Sequence, residues 1–301
     1  MNNNIFSYTA GYVDGDGCFY IGKCINNKSG KIKYQSSLII SSTNDKVLKF
    51  FHKTHGGTTS LSDTRSKFQG QKPQYHFTVR SNKAKKLTEL IIPYLVEKQE
   101  QAKIFCKFIN TSNIEEKESL IFLMKDLKHN RDLINKNDKE IIMNNIEKII
   151  PNEADFAYLA GFIDAECCLT ISKYKPKDRP NFTYKICLSL NNSKLPVFKW
   201  LIDRFDGHIN FIDRNTSNKK HRNQFAWRLT AKSLFKILPN IYPYLKYKKP
   251  VCKELIKFYE TTLINGGARH TDEFRASYAE VLKIRDDIVH KIHILNQKGI
   301  V

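Results

Sequence analysis

Negative charge is what this 301-residue chain has least of. Its 30 Asp and Glu face 50 Lys and Arg, for a net charge of +20. Fold requirements do not explain such an excess. It favours a polyanionic partner, held through counterion release, over a membrane surface. The plain alternative is an AT-rich genome, whose codons also supply the abundant Asn, Lys and Ile. Long apolar runs are missing too: no stretch of 18 or more apolar residues occurs, which excludes a membrane-spanning helix by this criterion. The opening "MNNNIFSYTAG" has no basic segment followed by an apolar one, and it is not Arg- and Ser-rich. It therefore predicts neither a secretory signal nor a transit peptide. The seven cysteines (Cys18, Cys24, Cys106, Cys167, Cys168, Cys187 and Cys252) include no C-x-x-C pair. An odd, scattered set argues for reduced thiols in an intracellular protein, against a disulfide scaffold or a zinc site. Hydrophobic content of 41% and aromatic content of 12% are those of a folded chain.

What is present is a repeat. At an offset of 150, Phe6, Tyr8, Ala10, Gly11, Asp14 and Cys18 meet Phe156, Tyr158, Ala160, Gly161, Asp164 and Cys168. Tyr34 and Leu38 meet Tyr184 and Leu188, Gly57 meets Gly207, and Asp63 meets Asp213. "PYLVEK" at 93–98 returns as "PYLKYK" at 243–248. Two homologous halves in one chain make a covalent pseudo-two-fold dimer, acting as a monomer.

Each half reads α-β-β-α-β-β-α. The first has a helix over 4–15, strands at "CFYIGKCIN" and "KIKYQSSLIIS", and a helix "TNDKVLKFFHKTH" capped by Thr43 or Asn44. Strands near 58–62 and at "YHFTVRS" follow, then helices over 83–92 and about 97–110. The second half repeats the strands as "CLTISKYK", "FTYKICLSL", "GHINFID" and "QFAWRLTA". Extra helices are predicted near 115–136 and 272–296. This divides the chain into an N-terminal unit, 1–136, a partly helical linker, 137–152, and a C-terminal unit, 153–301. The fold class is α+β with an antiparallel sheet in each unit.

At the first helix-to-strand joint of each half, carboxylates collect: Asp14 and Asp16 in "FSYTAGYVDGDGCFYI", Asp164 and Glu166 in "FAYLAGFIDAECCLTI". Gly11 and Gly15, like Gly161 and Ala165, lie four apart on one helical face, where small side chains admit the backbone of the other half's helix. If those helices cross on the pseudo-two-fold, Asp16 and Glu166 meet at helix C-termini, where the dipole is also negative. They repel unless a cation lies between them. Mg²⁺ takes such hard oxygen ligands, and with a basic surface the chemistry is phosphodiester hydrolysis. The alternative is that both acids only cap the turn. Asp14 and Asp164 keep two readings, structural at the turn or part of the site.

Residues T-A-G-Y-V-D-G-D-G (9–17) and L-A-G-F-I-D-A-E-C (159–167) resemble the motif for which the LAGLIDADG homing endonucleases are named, in the double-motif, single-chain class. The resemblance implies two sheets forming a DNA-binding saddle, with the motif helices at the interface. It implies a metal-dependent double-strand break in a long, asymmetric DNA target, promoting intron mobility. Mg²⁺ would be the cofactor, with Ca²⁺ or Mn²⁺ able to replace it. The metal site would fall to Asp16 and Glu166, together with Gly15 and Ala165. Lys98 and Lys248, each 82 residues after its acid, would join them as catalytic residues that order solvent or steady negative charge. Asn44 and Lys194 would stand near the water network. The ninth motif position departs from the pattern: Gly17 suits a positive φ after a helix, whereas Cys167 does not. Other proteins of such a fold act as RNA-splicing maturases or non-cleaving DNA binders, which is the competing reading. The AT-rich composition suggests an organellar or bacterial genome, and so an organelle or a bacterial cytoplasm as the location.

Alternate side chains of a sheet in the major groove would read bases. The outward candidates are Tyr20, Cys24, Asn26, Gln35, Ser37 and Ser41, flanked by Lys28 and Lys33. Those of the second half are Ser172, Tyr174, Lys185, Ser189, Asn210, Arg214 and Arg228. The parity of Gln74, His76 and Gln224 stays open. Loop cations Lys31, Arg65, Lys67, Lys177, Arg179, Lys219, Lys220 and Arg222 suit phosphate contacts.

Overall fold

The computed structural model describes residues 3–25, 29–62, 73–129, 134–177, 182–214, 223–263 and 272–298. The first unit runs α1 (Asn3–Asp16), β1 (Gly17–Ile25), β2 (Ile32–Ser42), α2 (Asp45–His55), β3 (Thr58–Ser62), β4 (Gln74–Arg80) and α3 (Ser81–Ile91). After a 3₁₀ turn at Ile92–Tyr94 come α4 (Gln99–Asn110) and α5 (Ile114–His129). Helix α6 (Asp138–Asn144) lies between the units. The second unit runs α7 (Glu153–Glu166), β5 (Cys167–Tyr174), β6 (Thr183–Asn192), α8 (Leu195–Arg204), β7 (His208–Ile212), β8 (Gln224–Leu229), α9 (Ala231–Ile241), α10 (Lys249–Leu263) and α11 (Asp272–Lys298). Among the described residues no helix is long and apolar enough to cross a membrane.

Each unit holds a four-stranded antiparallel sheet, ordered β1-β2-β4-β3 and β5-β6-β8-β7. The repeat therefore survives as topology. One face of each sheet is covered by helices. Phe19, Leu38, Ile40, Phe77 and Val79 are buried there in the first unit, and Leu169, Leu188, Leu190, Phe225 and Trp227 in the second. Period-two alternation sends their neighbours to the opposite face. The sequence reading of the elements holds, with α2 starting from Asn44, whose side chain accepts from the backbone N–H of Lys46.

The segment joining the units is anchored on the second. Ile142 is buried, Glu147 N–H donates to the Asp203 carboxylate, and Ile149 N–H donates to the Asp203 carbonyl at 2.8 Å.

Candidate active site at the junction of the two units

Helices α1 and α7 cross in backbone contact. A Cβ placed on Gly11 would stand 2.0 Å from the carbonyl oxygen of Tyr158, and one on Gly161 would stand 2.0 Å from that of Tyr8. No side chain larger than hydrogen fits at either point. The small residues read from the sequence are thus what let the two backbones touch. At the next turn, a Cβ on Gly15 would meet Ala165 Cβ at 2.5 Å and Glu166 Cγ at 3.0 Å. The C-terminal ends of both helices, with Asp16 and Glu166, are thereby brought together.

Asp14 and Asp164, which the sequence left with two readings, are structural. Both are 1% exposed. Asp14 accepts from the backbone N–H groups of Val96, Glu97 and Lys98 at 2.7, 3.1 and 2.9 Å, and from the Tyr158 hydroxyl at 2.7 Å. Asp164 accepts from Lys246, Tyr247 and Lys248 N–H at 2.7, 3.0 and 2.7 Å, and from the Tyr8 hydroxyl at 2.8 Å. Each carboxylate ties its own helix to the start of α4 or α10 and to the opposite unit. Four donors for one buried carboxylate meet the requirement for burying charge. Burial and the facing aspartate push both tyrosine hydroxyls well above their usual range, so they remain donors. The sequence signal for Tyr8 and Tyr158 was their place in the repeat, six positions before the aspartate.

That clamp positions the lysines. Lys98 Nζ donates to the carbonyls of Val13, Asp14, Gly15 and Gly17 at 2.8, 2.9, 3.2 and 2.9 Å, capping the C-terminus of α1 with a cation. Lys248 Nζ donates to Ile163 and Asp164 at 2.6 and 3.1 Å. The lysines therefore anchor the helix ends from which the acids project. Gly15, a residue named with the metal site above, shares through its carbonyl in the Lys98 cap. Ala165 is half-buried at the crossing.

Burial, then the Glu166 charge, push the Asp16 carboxyl up to about 7, against the opposing pull of Lys98 and Lys248. Glu166 is raised as well, by burial, with the same two lysines opposing. Asp16 is exposed at the rim, and the packed helix ends still desolvate its carboxyl. Beside the pair opens a cavity of about 240 Å³ lined by Glu97, Lys98, Glu166, Asn191, Asn192 and Gln224 among others. The Gln224 Oε1 atom is buried without a hydrogen-bond partner. Glu97, which the sequence reading passed over, accepts from Asn192 Nδ2 of the opposite unit at 3.4 Å. Its counterpart at an offset of 150 is Tyr247, so no symmetry of the repeat pointed to it.

Two expectations change, both at the ninth motif position. Gly17 has no positive φ; the glycines that do are Gly30, Gly56, Gly57 and Gly207 among the described residues. Its need is space, since a Cβ would lie 2.7 Å from Val13 Cα. Cys167 meets no conformational obstacle at φ −84°, ψ 141°, in extended backbone. Asn44, expected near a water network, is 1% exposed and serves as the α2 cap, with a hydrogen bond to the Tyr247 phenol. Lys194 occupies the N-cap position of α8 without a side-chain cap bond.

Strand register settles the outward face. Tyr20, Cys24, Lys33, Gln35, Ser37 and Ser41 share it, with Tyr20 opposite Ser37 and Cys24 opposite Lys33. Ser41 pairs with His76 and Ser37 with Arg80, so Gln74, His76, Thr78 and Arg80 belong to this face, which resolves the open parity. Ser172, Tyr174, Lys185, Ser189, Asn210 and Arg228 share the corresponding face, with Gln224. Arg214 follows β7 in the same parity, its N–H donating to Asn223. Arg80, Thr78 and His208 were missed because alternation alone does not say how β4 and β7 register on their partners, whereas Cys18, Cys168 and Cys187 share the parity of Cys24, Ser172 and Lys185 and were legible. Lys31 and Lys177 are exposed. Asn26, Lys28, Arg65, Lys67, Arg179, Lys219, Lys220 and Arg222 lie outside the described residues.

Two units of one design meet here through glycine-lined helices that end in Asp16 and Glu166. Residues 159–264 match the family model described as LAGLIDADG endonuclease. The resemblance read from the two motifs is thereby met by a family match on the second unit and by fold over nearly the whole chain. The structure of meganuclease I-SmaMI bound to uncleaveable DNA aligns over 92% of this chain and 96% of that one, at 17% identity and a TM-score of 0.60. That of the I-LtrWI LAGLIDADG homing endonuclease bound to target DNA aligns over 94% and 97%, at 17% identity and 0.61. LAGLIDADG meganuclease I-AabMI bound to uncleaved DNA aligns over 95% and 98%, at 17% and 0.60. No curated protein matches by sequence.

Proposed function

We propose that this chain is a site-specific, divalent-metal-dependent DNA endonuclease that makes a double-strand break in a long, asymmetric target and so promotes the mobility of an intron. The observation that carries this reading is the convergence of Asp16 and Glu166 from opposite units, both with raised carboxyls, at one junction. Evolution seldom places two repelling acids together in a protein of net charge +20 unless something positive belongs between them.

The donor set fits Mg²⁺. Among the described residues no group of three or more His, Cys, Asp or Glu converges as a metal site. Two carboxylates leave the remaining positions to water and phosphate oxygens, as this ion prefers. Asp16 and Glu166 would hold it, and when bound it would supply an activated water and charge neutralisation at the phosphodiester. The chain's own groups do the rest. Asp14 and Asp164 fix the helix ends in space. Lys98 and Lys248 neutralise those ends and place positive charge within reach of both acids. The outward sheet faces hold duplex DNA in register; the structures this chain resembles are described as bound to DNA.

Asymmetry of the target follows from residues that differ across the repeat on the outward faces: Tyr20 against Thr170, Gln35 against Lys185, Ser60 against Asn210 and Thr78 against Arg228. The test is selection of cleaved sequences from a pooled duplex library in Mg²⁺. A single long asymmetric site, cut by the parent chain and by neither Asp16→Asn nor Glu166→Gln, supports the proposal. A chain that binds duplex but selects no cut site overturns it.

A further inference from the structure

Helices α9 and α10 cover the side of the second unit's sheet opposite the outward face. On their own outer surface they build something the repeat does not require. Phe235 and Tyr259 stack at 3.9 Å between ring centroids with planes 20° apart. They line a cavity of about 580 Å³ together with Asp206, Lys232, Ser233 and Lys236. Lys232, Phe235 and Lys236 are spaced i, i+3, i+4, so one helical face presents two exposed ammonium groups around an aromatic ring.

The first unit is an internal control. At an offset of 150, Phe235 corresponds to Lys85, Tyr259 to Ile109 and Lys232 to Asn82. There Lys85 pairs with Glu89 of its own helix at 3.5 Å. The same helix pair therefore packs without an aromatic stack, and packing does not explain why the second unit has one.

We propose that this pocket is a second nucleic-acid site, which takes an unpaired nucleotide of a single strand. The base stacks on the Phe235–Tyr259 pair, and Lys232 and Lys236 meet the flanking phosphates. Aromatic faces bounded by cations are how single strands are held without reading sequence. Because the pocket lies on the helical side, a duplex on the outward face leaves it open, and both can be occupied at once.

The experiment measures fluorescence anisotropy of labelled ten-nucleotide oligo(U) RNA and oligo(dT) DNA on the full chain, with unlabelled duplex in excess. A Lys232→Ala/Lys236→Ala double variant and Tyr259→Leu are compared with the parent, and thermal melting confirms folding. The lysines are exposed, so the double variant tests the site even if Tyr259→Leu unfolds. Expected are about tenfold weaker single-strand binding in each folded variant and unchanged duplex affinity. RNA strands carrying 4-thiouridine should crosslink to the peptide containing Tyr259. A preference for RNA or for DNA identifies the source of the strand. Displacement of all single strand by duplex, equal binding by parent and double variant, or crosslinks confined to the strands of the sheets overturns the proposal. Duplex cleavage is read separately, so failure here leaves the endonuclease reading standing, and the converse holds.

Discussion

Tyr158 donates its hydroxyl across the junction to Asp14 at 2.7 Å, and Tyr8 returns the same bond to Asp164 at 2.8 Å. These two bonds close a ring of contacts around α1 and α7, and each ends on a carboxylate that also gathers three backbone N–H groups. Asp14→Ala strips the acceptor from four donors at once, two of them fully buried. We expect a loss of about 3–5 kcal/mol in denaturant unfolding, with Tyr158→Phe costing about 1–2 kcal/mol. An Asp14→Ala chain as stable as the parent would remove the structural assignment.

Backbone contact at the crossing is equally testable. Gly11→Ala places a methyl 2.0 Å from the Tyr158 carbonyl, with main chain as the neighbour that must give way. The loss should reach about 3 kcal/mol or more, seen as a lowered melting temperature, and Gly161→Ala should match it through Tyr8. Gly17→Cys, which copies the second motif into the first, should also destabilise, because Val13 occupies the space.

The acid pair dictates a pH dependence. A carboxyl raised from 3.8 to about 7 holds its proton longer in the folded chain than in the unfolded one. Metal-free stability is therefore greatest below about pH 4 as far as Asp16 is concerned, and declines as pH rises towards 7. Asp16→Asn should flatten that decline and leave the metal-free variant more stable than the parent at pH 8. Added Mg²⁺ should raise the parent's melting temperature more at pH 8 than at pH 6, and leave Asp16→Asn nearly unmoved.

The lysines differ despite equal positions in the repeat. Lys98, 8% exposed, caps four carbonyls, whereas Lys248 bonds to two. Lys98→Met should cost about 2–4 kcal/mol in chemical denaturation and Lys248→Met about half of that. Equal losses would show that the two helix ends are held alike.

Arg80 and Arg228 project from the outward faces, opposite Ser37 and Ser189. If duplex DNA lies there, Arg80→Ala should weaken binding by about 1–3 kcal/mol or relax preference over one half of the selected site. Arg228→Ala should do so over the other half, and binding titrations on half-site-substituted duplexes separate the two.

The sequence by itself determined that there are two units, what elements compose them, and that paired acids stand at equivalent joints. Those properties are carried by periodicity, caps and a repeat, which are local or depend only on spacing. It also determined that Gly11 and Gly161 must be small, though not against which atoms. Only the tertiary structure decided that Asp14 and Asp164 are clamps, that Lys98 and Lys248 grip helix ends, and that Arg80 shares a face with Gln35. Each of those roles depends on partners dozens of residues away or on the register of one strand against another. Backbone amides and carbonyls are the same at every position, so no side-chain pattern announces which of them a buried charge will find.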